Sequence, residues 1–436
     1  MRILSFTGGA GTMYCGSCLR DNALAAELLA RGHDVLLTPV YTPTRTDERN
    51  VSGAQVFFGG ISVYLEQHAP LFRHTPKFLD QLWDSNWALR LATKRQISVD
   101  PKSLGELTVS MLRGEQGFQK KEIGKLLDWL QHEPRFDVVN LPYALLLGLA
   151  APLKRALKAP ICCTLQGEDL FLDGLGEPYR SHSLDLIRAA ADYVDAFLPV
   201  SRYYADYMPR YLGVPQSKMR LAPLGINLDG YTPRHRDRSG PFTVGFFARV
   251  APEKGLHVLC DAYQRFRAKS KGTEARLLVA GYLAPEHAPY LDELTREMND
   301  AGLGSEFEYR GELDRARKIA FLQTLDVMSV PATYAEPKGI FLLEAMATGV
   351  PVVQPRRGAF PEILEKTGGG ILVDADDPDA LAQAFRQLQN DPSLASALGE
   401  AGAAGVRAHY TAGHMAETVE RIYADVIRRP HASPAA

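Results

Sequence analysis

The chain has 436 residues, which is longer than one hydrophobic core normally supports, so two domains are expected. Its 46% apolar and 23% charged residues are ordinary for a soluble globular protein, and a formal net charge of −2 gives no general attraction to nucleic acid. Five scattered cysteines do not make a disulfide framework. No apolar run reaches the roughly 18 residues of a membrane span, and the first apolar stretch is too short for a signal peptide. We therefore expect a cytoplasmic protein.

The first half of the chain begins with the pattern of a parallel sheet. We predict a strand at 2–6, a glycine turn at 7–16, a helix at 19–31 and a strand at 33–38. Later segments predict strands at 136–141, 160–165 and 196–200, and helices at 145–157 and 183–193. Residues 41–125 are less regular and are predicted to be an insertion.

The second half repeats this pattern after a polar, turn-rich stretch at 227–240, which predicts a linker. Strands are predicted at 243–248, 276–281, 306–310, 326–330 and 350–354. Helices are predicted at 256–266, 378–388, 392–409 and 416–429. The sequence therefore predicts an α/β protein with two parallel-sheet domains.

A first charged segment of the second half contains Arg249 and Lys254 and follows the strand at 243–248 directly. Ligands of open parallel sheets bind outside the carboxyl ends of strands. Two cations there suit a diphosphate leaving group, whose negative charge grows as its bond to a sugar breaks. The alternative interpretation is a surface turn with charges at a helix start.

A second segment contains Glu336, Gly339 and Glu344. A carboxylate on the second turn of an apolar helix is costly unless it is paired, and the vicinal hydroxyls of a ribose would satisfy Glu344. Glu336 would then hold hydroxyls of a transferred sugar, and the helix start at Gly339 would offer N–H groups to phosphate. The alternative is that Glu344 is a structural carboxylate paired with a neighbouring Arg or Lys.

These motifs resemble family 4 glycosyltransferases. The resemblance is carried by FFARVAPEKGL, by two glutamates with seven residues between them, by EAMATGVPVV followed by RGAFPEIL, and by GGGILVDADDPDALAQA. It extends to the Gly8-Gly9 turn and to PLGIN at 223–227, and so covers nearly the whole chain. It implies the GT-B fold, in which two Rossmann-like, doubly wound domains face a cleft. The acceptor-side domain would span 1–232 and the donor-binding domain 233–413, with a C-terminal helix at 414–430 packing back on the first domain.

The resemblance also implies the activity. A hexose-type sugar would pass, with retention of configuration, from a UDP-, GDP- or ADP-sugar to a hydroxyl of a glycan, lipid-linked sugar or small molecule, without a metal or other cofactor. Arg249 and Lys254 would bind the diphosphate, Glu344 the ribose, and Glu336 would position the sugar. The further donor contacts implied are Gly8, Gly9, Leu313, Lys338, Gly339 and Ile340.

The glycine turn after the first strand is not a dinucleotide fingerprint, because the third glycine is missing after Gly9 and Gly11. In the fold that the chain resembles, this turn faces the donor phosphates. Cys15 and Cys18 have redox-motif spacing at a helix start. A zinc site would need two further ligands, so small packing residues are the favoured interpretation.

Acceptor contacts are predicted at two places in the first half. Arg20 and Asp21 follow the cysteines on the same helical turn and could line an acceptor pocket. Family members often carry a histidine just past the strand at 160–165, where this chain has Gln166, which cannot titrate. Glu168 and Asp169 are then the charged candidates for binding acceptor hydroxyls.

Other functions remain open at this point. A sugar-nucleotide epimerase is disfavoured by the cation pair and the two glutamates, and a phosphorylase by the lack of a lysine motif for pyridoxal phosphate. A NAD-dependent oxidoreductase would need the missing fingerprint. A non-catalytic paralogue keeps the fold without the reaction. Basic clusters at 120–125 and 154–158 are compatible with peripheral contact at the inner membrane face or with solvated helix faces.

Overall fold

The structure, a computed structural model, describes residues 1–9, 13–58, 101–233, 240–270 and 272–429, with the side chains of 101–103 excepted. The chain divides into two compact domains. The first comprises Met1–Pro223 and Ala416–Ala436, and the second comprises Leu224–Met415. Much of the insertion predicted at 41–125 lies outside the described residues.

The first domain contains a five-stranded sheet in the order β2-β1-β3-β4-β5, with every pairing parallel. Its strands are β1 (Arg2–Thr7), β2 (Asp34–Pro39), β3 (Val138–Leu141), β4 (Ile161–Leu165) and β5 (Ala196–Pro199). The residues of β3, β4 and β5 are all buried, as expected for strands covered on both faces. The predicted strands are thus confirmed, with small shifts at their ends.

Helices flank this sheet. They are α1 (Gly16–Ala30), α2 (Pro101–Leu112), α3 (Lys120–Leu130), α4 (Ala150–Leu157), α5 (Glu168–Gly174), α6 (Tyr179–Ala190) and α7 (Arg202–Leu212). The helix predicted at 145–157 is divided, because Ala144–Leu149 forms a 3-10 helix before α4 begins.

The second domain contains a six-stranded parallel sheet in the order β11-β10-β9-β6-β7-β8. Its strands are β6 (Phe242–Phe247), β7 (Ala275–Ala280), β8 (Phe307–Tyr309), β9 (Val327–Met328), β10 (Val352–Pro355) and β11 (Gly370–Val373). Strand β11 was not predicted. It lies at the sheet edge, is mostly half-buried and starts in a run of three glycines, so its apolar signal is short.

The helices of the second domain are α8 (Leu256–Lys269), α9 (Ala288–Asp300), α10 (Arg315–Leu322), α11 (Ile340–Ala347), α12 (Phe360–Thr367), α13 (Pro378–Asn390) and α14 (Pro392–His409). Helix α11 is the most deeply placed of those carrying predicted site residues, since Phe341–Ala347 is buried throughout. The last helix, α15 (Ala412–Arg428), starts in the second domain. Its part from Ala416 belongs to the first domain, where Glu420 pairs with Arg31 at 2.9 Å.

The prediction of a linker at 227–240 is wrong for the described residues 227–233, which are fixed to the second domain. Tyr231 is buried in the core of the second domain, and the Arg407 guanidinium donates to its carbonyl oxygen at 2.9 Å. Arg315 donates to the carbonyl oxygens of Asn227 at 3.0 Å and Asp229 at 2.8 Å. These two arginines, far away in the sequence, fix the segment at 227–231, which is polar and shows no hydrophobic periodicity. Residues 234–239 lie outside the described part of the chain.

Candidate active site

The carboxyl ends of β6, β7 and β8 are joined by backbone hydrogen bonds between their loops. Val250 N–H donates to Tyr282 at 2.8 Å, and Gly281 N–H donates to Gly311 at 2.9 Å. Gly281 has φ +141°, and a Cβ there would lie 1.8 Å from the Ala248 carbonyl oxygen. Only glycine therefore allows these loops to approach so closely. Leu313, half-buried against the core, lies in the third of these loops.

The two charged segments predicted from the sequence meet at this edge of the sheet. Thr333 N–H donates to the Glu253 carbonyl oxygen at 3.0 Å. Gly255 has φ +74°, and a Cβ there would lie 2.0 Å from the Pro331 carbonyl oxygen. The cations on the first segment differ in setting. Arg249 is 40% exposed and forms an ion pair with Glu253, whereas the Lys254 side chain is only 14% exposed.

Lys254, Tyr334 and Glu336 form one buried cluster. Lys254 Nζ lies 2.5 Å from Glu336 Oε2 and donates to the Tyr334 hydroxyl oxygen at 2.7 Å, and the Tyr334 hydroxyl donates to the same carboxylate oxygen. The Lys254 ammonium also lies 4.9 Å from the centroid of the Tyr334 ring and 5.7 Å from that of Phe341. Lys254 and Glu336 were predicted as site residues in separate roles, whereas no role was predicted for Tyr334.

Charge balance keeps Glu336 ionised. Burial by itself opposes ionisation, but the positive charges of Lys254 and Lys338, with the hydrogen bonds from Lys254 and Tyr334, lower the pKa of Glu336 to about 2. Burial and the Glu336 charge raise the pKa of Tyr334 well above its ordinary value, so its hydroxyl stays a donor. The result is a fixed carboxylate with a cation against one oxygen.

The loop at 356–359 fixes the backbone of Glu336. Ala359 N–H donates to the Glu336 carbonyl oxygen at 2.8 Å, and Arg357 donates to the Ala332 carbonyl oxygen at 3.1 Å. Gly358 has φ +57°, and a Cβ there would lie 2.4 Å from the Glu336 carbonyl oxygen. Glycine is therefore required at position 358 of the RGAF segment. The role of Arg357 was not predicted.

Helix α11 begins beside Glu336. Gly339 caps it with φ +70°, and Ile340 is its first residue. Lys338 N–H donates to Glu336 Oε1 at 3.2 Å, so the carboxylate is tied to the loop that enters the helix. The first N–H groups of a helix have no partner within the helix and favour anions. The arrangement can therefore offer backbone donors and cations to one phosphate group.

Glu344, on the second turn of α11, is buried and paired. Lys318 Nζ lies 2.5 Å from Glu344 Oε1, and the Tyr231 hydroxyl donates to the same oxygen at 3.0 Å. The structure therefore contains the cation partner that the alternative interpretation of Glu344 expected. Neither Lys318 nor Tyr231 was predicted. Lys318 has the appearance of a surface residue in RARKIAFL, and Tyr231 lies in the polar stretch that was taken for a linker.

The glycine turn of the first domain is required by packing. Gly9 has φ +73°, and a Cβ there would lie 1.8 Å from the Thr42 carbonyl oxygen. A Cβ on Gly8 would lie 3.0 Å from the Tyr143 hydroxyl oxygen. Val40 N–H donates to Thr7 and Tyr41 N–H donates to Gly8, so the turn is bonded to the chain that follows β2. Residues 10–12 of the predicted turn lie outside the described residues.

Arg20, Asp21 and Gln166 come together in a second buried cluster. Arg20 donates to Asp21 Oδ1 at 3.0 Å, and Gln166 Nε2 donates to the Pro142 carbonyl oxygen at 2.8 Å and to Asp21 Oδ1 at 3.5 Å. Burial raises the pKa of Asp21 despite the Arg20 charge. Arg20 Nε, Asp21 Oδ2 and Gln166 Oε1 are buried without a hydrogen-bond partner among the residues that the structure describes.

Glu168 and Asp169 organise the start of α5. Glu168 accepts backbone N–H groups at both oxygens, from Ala144 at 3.0 Å and from Gln166 at 2.8 Å. The Tyr204 hydroxyl donates to Asp169 Oδ1 at 2.7 Å. Burial raises the pKa of both carboxyls. Both oxygens of Glu168 and Oδ1 of Asp169, predicted to bind acceptor hydroxyls, are thus engaged inside the domain, and Glu168 has the contacts of a residue that fixes a loop.

Cys15 and Cys18 lie on the first turn of α1. Cys15 is the half-buried cap residue and Cys18 is buried. A hydrogen bond with Cys15, together with burial, raises the pKa of Cys18, so this thiol is a poor nucleophile. Within the described ranges, no three His, Cys, Asp or Glu side chains lie close enough together to hold a metal ion.

The chain matches two family models over most of its length. One is described as a glycosyl transferase 4-like domain and matches residues 22–225, and the other as glycosyl transferases group 1 and matches residues 231–404. The chain is 29% identical over 58% of its length to the GDP-mannose-dependent alpha-(1-6)-phosphatidylinositol monomannoside mannosyltransferase of Mycolicibacterium smegmatis, of which it covers 69%. It is 29% identical over 52% of its length to the enzyme of the same name in Mycobacterium tuberculosis, of which it covers 60%.

The fold has relatives among solved structures. Anabaena Alr3699/HepE in complex with UDP has a TM-score of 0.68 and 16% identity, over 98% of this chain and all of that one. An identity this low establishes the fold alone, which is the two-domain GT-B fold that the sequence predicted. In chain order, residues 22–225 match a glycosyl transferase 4-like domain and residues 231–404 match the glycosyl transferases group 1 domain, so the chain has the two domains of a glycosyltransferase.

Proposed function

We propose that the chain is a retaining glycosyltransferase that moves a hexose-type sugar from a UDP-, GDP- or ADP-sugar to a hydroxyl acceptor, without a metal. The observation that carries this proposal is the ionised, buried Glu336 with Lys254 against it at 2.5 Å, beside the start of α11. A fixed anion can accept sugar hydroxyls, while the cation and the helix start face the charge of a diphosphate.

In the proposed reaction, Arg249 and Lys254 stabilise the diphosphate as its bond to the sugar breaks. The departing phosphate oxygen takes the proton of the acceptor hydroxyl on the same face of the sugar. Glu336 positions the sugar and is not the base, since a carboxyl with a pKa of about 2 accepts a proton weakly at neutral pH. Retention is tested by the anomeric configuration of the product in NMR spectra, and independence from metal by activity in excess chelator.

The donor contacts proposed for the backbone and base follow the same loops. Gly339, Ile340 and Lys338 lie where α11 begins, and Leu313 lies in the loop after β8, beside which we propose the base. Gly8 and Gly9, in the turn after β1, are proposed as further donor contacts. The mannosyltransferases described above are named for GDP-mannose, whereas HepE was solved with UDP, so the donor panel must include both bases.

The experiment is a thermal-shift and nucleotide-release screen against UDP-, GDP- and ADP-sugars. We expect one donor class to stabilise the protein and to release nucleotide when an acceptor is present. Glu336→Ala and Arg249→Ala should lower release at least about tenfold. Arg265→Ala is the matched control, because Arg265 is 42% exposed and forms an (i, i+4) pair with Asp261, as Arg249 does with Glu253.

Each failure of this screen has its own meaning. If no nucleotide sugar stabilises the parent protein, the catalytic proposal is wrong and a non-catalytic paralogue is favoured. If release occurs but is the same in Glu336→Ala, Arg249→Ala and Arg265→Ala, the enzyme is a transferase whose site lies elsewhere. Stabilisation by NAD alone would favour an oxidoreductase.

We propose a carbohydrate or lipid-linked acceptor, and a cytoplasmic protein with peripheral contact at the inner membrane face. In the described part of the chain, no helix combines the length and apolar character needed to cross a membrane. Lys120 is exposed at the start of α3, and Arg155 on α4 is 59% exposed. Co-sedimentation with anionic vesicles that weakens with salt would support the contact, and equal binding to neutral vesicles would contradict it.

A further inference from the structure

The carboxylate of Glu344 is held by two side chains that come from separate segments. Lys318 comes from α10, Tyr231 from the segment before β6, and Glu344 from α11. Lys318 Nζ lies 2.5 Å from Glu344 Oε1, and the Tyr231 hydroxyl donates to that oxygen at 3.0 Å. All three side chains are buried. The contacts are therefore made without screening by solvent.

Both donors bind the same oxygen of Glu344. Two bonds use the two lone pairs of Oε1, whereas Oε2 accepts no hydrogen bond from the residues that the structure describes. A buried carboxylate is costly unless a cation is paired with it. Lys318 provides that cation at one oxygen, so Glu344 has one satisfied oxygen and one that can accept from a ligand.

Tyr231 is itself fixed, so the orientation of Glu344 is fixed with it. The Arg315 guanidinium lies 5.0 Å from the centroid of the Tyr231 ring, and Arg407 donates to the Tyr231 carbonyl oxygen at 2.9 Å. Burial raises the pKa of Tyr231, with the Glu344 charge adding to it, so the hydroxyl remains a donor. A side chain gripped at one oxygen presents the other in a defined direction.

We propose that Lys318 and Tyr231 are positioning residues for donor recognition, which dedicate Glu344 Oε2 to the ribose hydroxyls of the nucleotide. This inference rests on the proposed donor site and deepens it. Selection of ribonucleotides over deoxyribonucleotides depends on Lys318, although Lys318 does not touch the donor. If the ion pair were only structural, losing Lys318 would lower stability and leave the preference for ribose unchanged.

The experiment measures the affinity for UDP, GDP and ADP and for their 2′-deoxy and 3′-deoxy counterparts by titration calorimetry. Using the base that binds best, we expect the ribonucleotide to bind at least about tenfold more tightly than one of the deoxy forms, because a bond to a charged group is lost. Lys318→Met should reduce this ratio to about threefold or less. Tyr231→Phe should lie between the two, and Lys318→Arg should restore part of the ratio.

Two controls separate positioning from general damage. Arg317→Met removes a cation from the same helix, where the side chain is 76% exposed, and should leave the ratio unchanged. The second control adds Lys318→Met to Glu344→Gln, a background without the buried negative charge. If Lys318 acts only through Glu344, the ratio in this double variant equals that of Glu344→Gln alone.

The outcomes distinguish this inference from the proposed function. If the parent protein binds no nucleoside diphosphate, the proposed donor site is wrong. If it binds but ignores the sugar hydroxyls, Glu344 does not bind ribose and the inference fails with that assignment. If the parent prefers ribose and Lys318→Met keeps the full preference, only the inference is overturned. Additive effects of the two substitutions would also overturn it, because Lys318 would then contact the donor itself.

Discussion

Each domain contains a buried polar cluster, and the pKa values of the carboxyl groups are shifted in opposite directions in the two clusters. In the second domain, Lys254 outweighs the cost of burial and the pKa of Glu336 falls to about 2. In the first domain, burial raises the pKa of Asp21 despite the Arg20 charge, and it raises the pKa of Glu168 despite hydrogen bonds from backbone N–H groups. Buried atoms of Asp21 and Gln166 also lack hydrogen-bond partners in the described ranges.

The difference indicates how far each cluster is organised before a ligand arrives. The carboxylate of the second domain is ionised and oriented in the free protein, which lowers the cost of reorganisation during a reaction. The cluster of the first domain has polar atoms left over, which is unfavourable unless water or a ligand satisfies them. The cluster that we propose for the donor is therefore preorganised, while the cluster that we propose for the acceptor is incomplete.

The largest effect should come from removing the charge of Glu336. Glu336→Gln keeps the shape but weakens the bonds from Lys254 and Tyr334, and we expect kcat to fall by about 10²–10³. Glu306→Gln is the matched control, because Glu306 also accepts from a cation, Arg267 at 2.8 Å, and from a tyrosine hydroxyl, Tyr263 at 2.6 Å. Steady-state rates on the donor found in the screen provide the measurement.

Glu306→Gln should lower the free energy of unfolding and leave kcat close to that of the parent. If both substitutions reduce kcat equally, the loss reflects general damage. The cluster around Glu336 would then be a structural ion pair like the one around Glu306, and the contrast between the two domains would lose its functional meaning.

The backbone turn of the first domain allows a second test, with a smaller effect. Gly9→Ala combines a φ of +73° with a Cβ 1.8 Å from the Thr42 carbonyl oxygen, and should cost about 2–3 kcal/mol of unfolding free energy. Gly32→Ala has a similar φ of +87° but no atom within 4 Å, and should cost only about 1 kcal/mol. Chemical denaturation of both variants measures the difference.

If Gly9→Ala is no worse than Gly32→Ala, the turn can move away from Thr42. The first domain would then be adaptable at its backbone as well as at its polar cluster. If the expected difference is found, the backbone of the glycine turn is rigid, and the unsatisfied polar atoms of the first domain are confined to the side chains of that cluster.

The sequence predicted the parts of the site that follow local patterns. Arg249 and Glu336 lie in loops that follow apolar strands, and the carboxyl edge of a parallel sheet brings such loops together. The parallel direction of the strands was accessible from the alternation of strands and helices. Among the strands that the structure describes, the short edge strand Gly370–Val373 was missed, since it is mostly half-buried and begins in glycines.

The side chains that contact Glu336 and Glu344 could not be predicted from local sequence patterns. Tyr231 and Glu344 are 113 positions apart, and Lys254 and Tyr334 are 80 positions apart, so no local period connects them. Lys318 is separated from Glu344 by 26 positions and looks like an exposed helix residue until the fold turns it inward. Such pairings depend on tertiary packing, which one sequence does not reveal without the folded structure.

The smallest expected effect is a difference in the pH dependence of stability. The folded pKa of Glu336, about 2, lies below its ordinary value of 4.5, so its contribution to stability is present above pH 4.5 and is lost as the pH falls towards 2. Between pH 7 and 3.5 the parent should lose about 1 kcal/mol more than Glu336→Gln. Urea denaturation of both proteins across this range measures the difference.

The first domain should show the opposite sign. The folded pKa of Asp21 is raised, so burial of its charge opposes folding at neutral pH, and this penalty is relieved as the pH falls through the folded pKa. The parent gains stability from Asp21 on acidification, and Asp21→Asn removes that gain. The parent loses stability from Glu336 on acidification, and Glu336→Gln removes that loss. If the two variants shift the pH profile in the same direction, the two clusters do not differ in the way the structure indicates.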